Sequence, residues 1–224
     1  MTSSLPGVNL SNLASSSVPS LQEFVLQGSV VDSACDALLH RLRALCDNVD
    51  RAPETFQDHE MVYLLRTSGP GNPVVLRARH ARDQHNMPWN YSYFCFDLNA
   101  PSFFRQLRYL GQSDISDKSR LVTVRSYLDC STSEQLPQFL TDIGFRLDHE
   151  FVAKGHMFRK GKMKVTITKI FKILTPGNLE ALEPLSISQL VELSIIAPSG
   201  TDGIGEDMRA FAEQLRPLVS MEKI

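Results

Sequence analysis

Between residues 150 and 174 the chain alternates more clearly than anywhere else. Met163, Val165, Ile167, Phe171 and Ile173 fall on one parity, and Lys164, Thr166, Thr168 and Lys172 on the other. A period of two marks a strand whose faces meet different surroundings, so one face is expected to be buried and the other wet. Residues 150–159 supply the preceding arm, and Lys160-Gly161 the turn of a long hairpin. Lys169 and Ile170 interrupt the alternation, which predicts a bulge or a change of environment there. Further strands are predicted at 24–31, 59–66, 74–79, 121–128 and 190–196. The second and third of these form a hairpin across the turn-rich segment Ser68-Gly69-Pro70-Gly71-Asn72-Pro73.

Three stretches carry helical spacing instead. Cys35, Leu38, Leu39, Leu42, Leu45 and Cys46 form one apolar stripe, with Asp32 or Ser33 placed to cap the helix. Leu136, Phe139, Leu140 and Ile143 share a face in a helix over 133–143. Pro137 is tolerated in its first turn, and Gly144 is the left-handed stop. A last helix over 206–218 turns Met208, Phe211, Leu215 and Leu218 inward. Many antiparallel strands and three separated helices give an α+β protein with a curved sheet or a closed barrel. A parallel sheet would need more crossover helices than the chain provides.

Two segments escape both periods. Residues 1–20 are serine-rich with few large apolar side chains, too few to offset the entropy of ordering, and read as a disordered tail. Residues 89–107 concentrate Tyr91, Tyr93, Phe94, Phe96, Phe103 and Phe104. Such rings bury roughly 150 to 250 Å² each, so the run must pack, bind a partner or be an insertion.

Composition narrows the function. A chain of 224 residues can bury a full core without staples. With 23 basic and 25 acidic side chains, no global field favours nucleic acid or an anionic membrane. Cys35, Cys46, Cys95 and Cys130 lack zinc spacing and read as reduced thiols of a cytosolic or nuclear protein. No apolar run approaches the ~20 residues that span a bilayer.

Two sets of residues invite chemistry. The tripeptide Asp148-His149-Glu150 has a twin in Asp58-His59-Glu60, and histidine with carboxylates can ligate a cation or move protons. Strand parity separates each histidine from its acidic neighbours, so solvated strand starts and barrel-edge hydrogen bonds are the expected role. The cations Lys154, His156, Arg159, Lys160 and Lys162 could grip an acidic protein partner, although a solvated face is the simpler reading. Motifs of the phosphate-loop, dinucleotide and serine-hydrolase kinds are missing from the sequence, and no cofactor or metal is expected.

Long ordered strings then carry a resemblance. LQGSV (26–30), LLHRLRALCDN (38–48), ETFQDHEMVYLLR (54–66), VLRARH (75–80), LRYLGQ (107–112), GFRLDHEFVAKGHMFRKG (144–161), LVELSIIAPSG (190–200) and FAEQLRPLV (211–219) are similar to the animal subunit 18 family of the Mediator complex. The resemblance implies a tunnel-like antiparallel β-barrel flanked by about three helices, spanning 21–224. It implies a non-enzymatic structural subunit of this nuclear coactivator, which reaches RNA polymerase II through protein contacts. Its implied partners are subunit 20, as a heterodimer, and the carboxyl-terminal helix of subunit 8, with no membrane and no direct nucleic-acid binding. Two departures stand out: residues 90–106 look inserted into the family pattern, and the tail past Ile224 is shorter. The rival implied by the same barrel is a metal-dependent RNA triphosphatase. That enzyme would need clustered carboxylates, for which Glu23, Glu60, Glu150 and Glu192 are the single candidates on separate strands, without an ExExK string.

Overall fold

A computed structural model describes residues 20–47, 53–66, 73–82, 105–111 and 120–223. Its strands are β1 (Leu21–Val31), β2 (Glu54–Leu65), β3 (Val74–Ala81), β4 (Arg105–Leu110), β5 (Thr123–Thr132), β6 (Arg146–Lys160), β7 (Met163–Thr175), β8 (Asn178–Pro184) and β9 (Ser188–Pro198). Its helices are α1 (Cys35–Leu45), α2 (Leu136–Asp142) and α3 (Ile204–Glu213). The strands run antiparallel in the order β6-β2-β3-β4-β5-β1-β9-β7, and pairing of β7 back onto β6 closes the ring. β8 lies outside that ring, paired with the far half of β7. The closed barrel is the architecture the residues left as one of two options and the family resemblance selected.

The apolar parity of the strands faces outward, not into the barrel. Leu26, Phe158, Val165, Ile167, Val191 and Leu193 form a core with Leu38 and Leu42 of α1 and Met208 and Phe211 of α3. Each fully buried side chain of this kind contributes about 1.5–3 kcal/mol. A second core sets Leu136 and Leu140 of α2 against Met61, Tyr63, Ala78 and Phe145. Phe139 and Ile143, expected on the same inward face, are exposed because α2 is only seven residues long and covers the sheet with one narrow stripe. Gly144 does end it in the left-handed region, at φ 101°.

Several local expectations change. Neither Asp32 nor Ser33 caps α1; a 3-10 turn at Asp32–Ala34 leads into it, and Asp32 pairs with Lys169 instead. There is no bulge at Lys169-Ile170, since β6 and β7 stay in register from Phe151↔Lys172 to Lys160↔Met163. What changes is the surroundings: Lys169 holds the outward parity at the Asp32 turn, while Ile170 lines the lumen. Register shifts fall elsewhere: on β7 against β8 between Ile173 and Thr175, and on β6, where Val62 faces His149 but Tyr63 faces Leu147, leaving Asp148 as the extra residue. Strands β4 and β8 were not predicted. The tail over 1–19, the loop over 67–72, Cys95 and most of the aromatic stretch lie outside the described residues.

One seam is closed from a distance. β5 pairs with β1 only from Gln22 to Val25, and past that point the carboxyl-terminal segment takes over. Gln27 donates its amide to the Glu222 carbonyl at 3.0 Å and accepts the Glu222 amide at 2.7 Å. Gly28 permits this approach, because a Cβ there would sit 2.5 Å from the Ser220 carbonyl oxygen.

Candidate functional site

With the apolar parity of most strands turned toward the helices, their charged parity points inward, while β6 lines the lumen with the apolar Phe151, Ala153 and Met157. The result is a cavity of about 310 Å³ lined by charge. Buried charge survives only when it is paired and hydrogen-bonded, and the lumen is built from such pairs. Glu23 on β1, 2% exposed, receives Arg125 Nη2 at 2.7 Å from the neighbouring β5. Glu60 on β2 receives Arg79 Nη2 at 2.7 Å and Nε at 2.8 Å from β3, and Asp58 lies 3.5 Å from the same guanidinium. Arg108 on β4 lies 3.0 Å from Asp129 Oδ2 on β5 and 5.2 Å from the centre of the Tyr127 ring. The same Asp129 oxygen accepts from Tyr127 and Gln106, both at 2.5 Å. Gln27 Nε2 donates to Glu192 at 2.7 Å.

These neighbours shift protonation in opposite directions. Burial pushes the Glu60 carboxyl up, but Arg79 and Arg108 outweigh it and hold the group below its ordinary value. Asp58, sharing Arg79 with Glu60, is left raised by burial. The Tyr127 hydroxyl is raised, first by burial and then by Asp129. Lys164, which enters the lumen from β7, is lowered to about 8 by burial and by repulsion from Arg108 and Arg79.

The two acidic-histidine tripeptides meet across β2 and β6; Asp148 and His149 are solvated near the start of β6, as expected, but the first tripeptide is not. Asp58 and Glu60 are buried in the lumen, whereas His59 points outward and lies 2.8 Å from Glu150. Parity was expected to keep His149 away from Asp148. The bulge removes that constraint, and His149 Nδ1 sits 2.7 Å from Asp148 Oδ2 on the surface. Of the four glutamates considered for a carboxylate cluster, Glu60 and Glu192 line the cavity and Glu23 is buried against Arg125, while Glu150 pairs with outward His59. Among the described residues no group of three or more His, Cys, Asp or Glu side chains is placed to hold a metal ion.

The five cations of the hairpin occupy different places. Lys154 lies over the outward ring of Phe171 at 5.1 Å. His156 is tucked toward α1, its Nδ1 enclosed without a hydrogen-bond partner among the described residues, and burial and Arg43 hold it below the ordinary histidine value. Arg159 takes the inward parity and reaches Glu54 at 3.6 Å. Lys160 lies 3.5 Å from Asp47, and Lys162 is exposed in the turn. Lys160 and Lys162 thus share the hairpin end, and the other three do not join them on one face.

Sequence reasoning missed most of the lumen set: Arg77, Arg79, Arg108, Arg125 and Asp129. The available signal was charge repeating on one parity, as in Arg77-Arg79 and Arg125-Tyr127-Asp129, which resembles a solvent-facing side until the barrel closes around it.

Three comparisons place this architecture. The family described as Med18 protein matches over residues 22–224. Mediator of RNA polymerase II transcription subunit 18 from Danio rerio is 52% identical over 204 residues, covering 91% of this chain and 89% of the relative. The protein of the same description from Xenopus tropicalis is also 52% identical, with the same coverage. Among solved structures, a chain of the Schizosaccharomyces pombe Mediator head module superposes with a TM-score of 0.64 at 16% identity, covering 91% of this chain and 98% of that one. At that identity the likeness is one of fold.

Proposed function

The chain belongs to the Med18 family, and from that premise we propose that it is a structural, non-enzymatic subunit of the nuclear Mediator coactivator. In this role it passes regulatory signals toward RNA polymerase II through protein contacts. The observation that carries this reading is 52% identity sustained over nearly the whole of an animal subunit 18. Its partners on this reading are subunit 20, as a heterodimer, and the carboxyl-terminal helix of subunit 8. Residues 21–224 act as a single barrel domain behind a 1–20 tail, with an insertion at about 90–106. Of the hairpin cations Lys154, His156, Arg159, Lys160 and Lys162, the two that share the hairpin end, Lys160 and Lys162, supply the basic edge for an acidic partner surface.

The lumen supports a role without catalysis. Glu23, Asp58 and Glu60 each lie in an ion pair with arginine, which leaves fewer oxygen lone pairs for a divalent cation that takes six or more of them. Coexpression with subunits 20 and 8 tests the assembly role, the expected result being one stable complex on size exclusion. A well-folded variant lacking 90–106 that still fails to join them would overturn it. Manganese-dependent phosphate release from triphosphorylated RNA, lost in Glu60→Gln, would instead favour the enzyme.

A further inference from the structure

One outer face of the barrel stays bare among the described residues. α1 and α3 pack on β1, β7 and β9, and α2 packs on β2 and β3, with Val124 joining the edge of the first core and Leu107 that of the second. Between those edges lies the outward parity of β4 and β5, turned away from Arg108 in the lumen. Leu76, Tyr109 and Leu128 stand side by side there across β3, β4 and β5, and Leu107 stands beside Cys130. An apolar row on one face of a sheet is ordinarily buried under a second layer. Here Tyr109 is 38% and Leu128 64% exposed, and the Cys130 thiol is exposed as well. The chain itself carries a layer of the right kind. Residues 83–104, outside the described residues, join β3 to β4 at the end of this face, where Arg105 pairs with His80 on one side and Thr132 on the other. They hold the single tryptophan, Trp89, and six tyrosine or phenylalanine rings from Tyr91 to Phe104, more aromatic surface than a soluble chain leaves in water.

We propose that the aromatic segment 89–104 is the outer layer of β4 and β5, its rings packed on Tyr109, Leu128 and Cys130. Reach permits it: Tyr109 lies four residues along β4 from Arg105, about 13 Å at the rise of a strand, and half of residues 83–104, extended, spans roughly 35 Å. Composition favours it too. With Asp83 and Asp97 as its acidic groups and neither lysine nor arginine, the segment matches an apolar sheet face better than the charged lumen or the lysine-bearing hairpin end. Its tether at Arg105 holds it beside the face at an effective concentration on the order of millimolar, which a separate partner must exceed. The bare face and the ring-rich segment are then two halves of one small core, continuous with that of α2 through Leu107. So covered, the face is closed to other subunits, and assembly contacts fall to the rest of the outer surface.

Thiol labelling of the full chain in a Cys95→Ser background tests the packing, because Cys35 and Cys46 are buried and Cys130 reports on the face. Slow labelling of Cys130 is expected in this parent. Deletion of 90–104 should speed it roughly ten-fold or more, and so should Leu128→Gln, which makes the face polar. Leu128→Gln keeps the segment and both strands, so it decides the question if the deletion variant fails to fold. It should also move the Trp89 fluorescence maximum toward that of tryptophan in water. Leu185→Gln, at an exposed leucine beside β8, should change neither reading. Two results overturn the proposal: Cys130 labelled as fast in the parent as in Leu128→Gln, or a Trp89 emission in the parent already that of exposed tryptophan. Protection of Cys130 that appears only at concentrations where the chain dimerises makes a second copy the occupant. Protection that appears only on adding subunits 20 and 8 gives the face to a partner, and either outcome also overturns the proposal.

Discussion

Arg79 serves two carboxylates at once, and the consequences of removing it are unequal. Arg79→Met leaves Glu60 and Asp58 buried without their cation, a loss of about 3–5 kcal/mol by comparison with other broken buried pairs. Combining Arg79→Met with Glu60→Met removes the orphaned charge along with its partner, so the double variant should recover part of that stability. Urea denaturation of the single and double variants checks this, and a double variant less stable than Arg79→Met would contradict it. Lys164 gives a prediction in pH. Its ordinary value is 10.5 and its folded value about 8, so between them the unfolded chain holds a proton that the folded chain has released. Stability from this group therefore rises with pH across that window and is lost as pH falls toward 8. Lys164→Met should be more stable than the parent near pH 7.5, with the difference shrinking by about pH 10. Most of these residues were visible in the sequence as charges on a strand parity. What the sequence withheld was direction, because a period of two says that two faces differ and not which of them a barrel will enclose.

At the scale of elements, the long hairpin of β6 and β7 and the pair β2 and β3 were legible because each has one face against a helix and one in the lumen. β8 was not, because both of its faces are at least partly exposed and no alternation records a core. β4 is six residues long and carries Arg105, Gln106 and Arg108 among its few apolar positions, too short a run to separate from a loop. The bulge at Asp148 is equally silent in sequence, since the extra residue is a feature of pairing with β2. The closing contact of the carboxyl terminus on β1 makes its own prediction. In Gly28→Ala the new Cβ meets the Ser220 carbonyl and Val219 Cγ1, at 2.5 and 2.8 Å, so the terminal segment must shift. Overpacking of this kind costs about 1–3 kcal/mol. Hydrogen exchange should show the Gln27 amide, bonded to Glu222, losing protection more than amides in β6 and β7. Uniform loss across the barrel would argue against a local seam.

For the whole molecule, the inversion of polarity decides where partners can dock. The apolar outer face of β1, β7 and β9 is already covered by α1 and α3, and α2 covers part of β2 and β3. The lumen is enclosed and charged, so a large protein partner has only the remaining outer surface and the barrel ends. The β6–β7 turn projects from one end with Lys160 and Lys162, both exposed. Of the two, Lys160 already has an acidic neighbour in Asp47, while no hydrogen bond or ion pair holds Lys162 among the described residues. If the assembly role proposed above uses this end against an acidic surface, Lys162→Glu should weaken the complex with subunits 20 and 8 more than Lys160→Glu does. Both effects should fade as salt rises, because exposed charges are screened within about 8–10 Å at physiological ionic strength. Affinity measured at two salt concentrations for each charge reversal separates this from a purely apolar contact. Binding indifferent to salt and to both reversals would move the interface away from the hairpin, toward apolar surface such as Leu185 and Ile187, which the chain leaves 64% and 83% exposed beside β8.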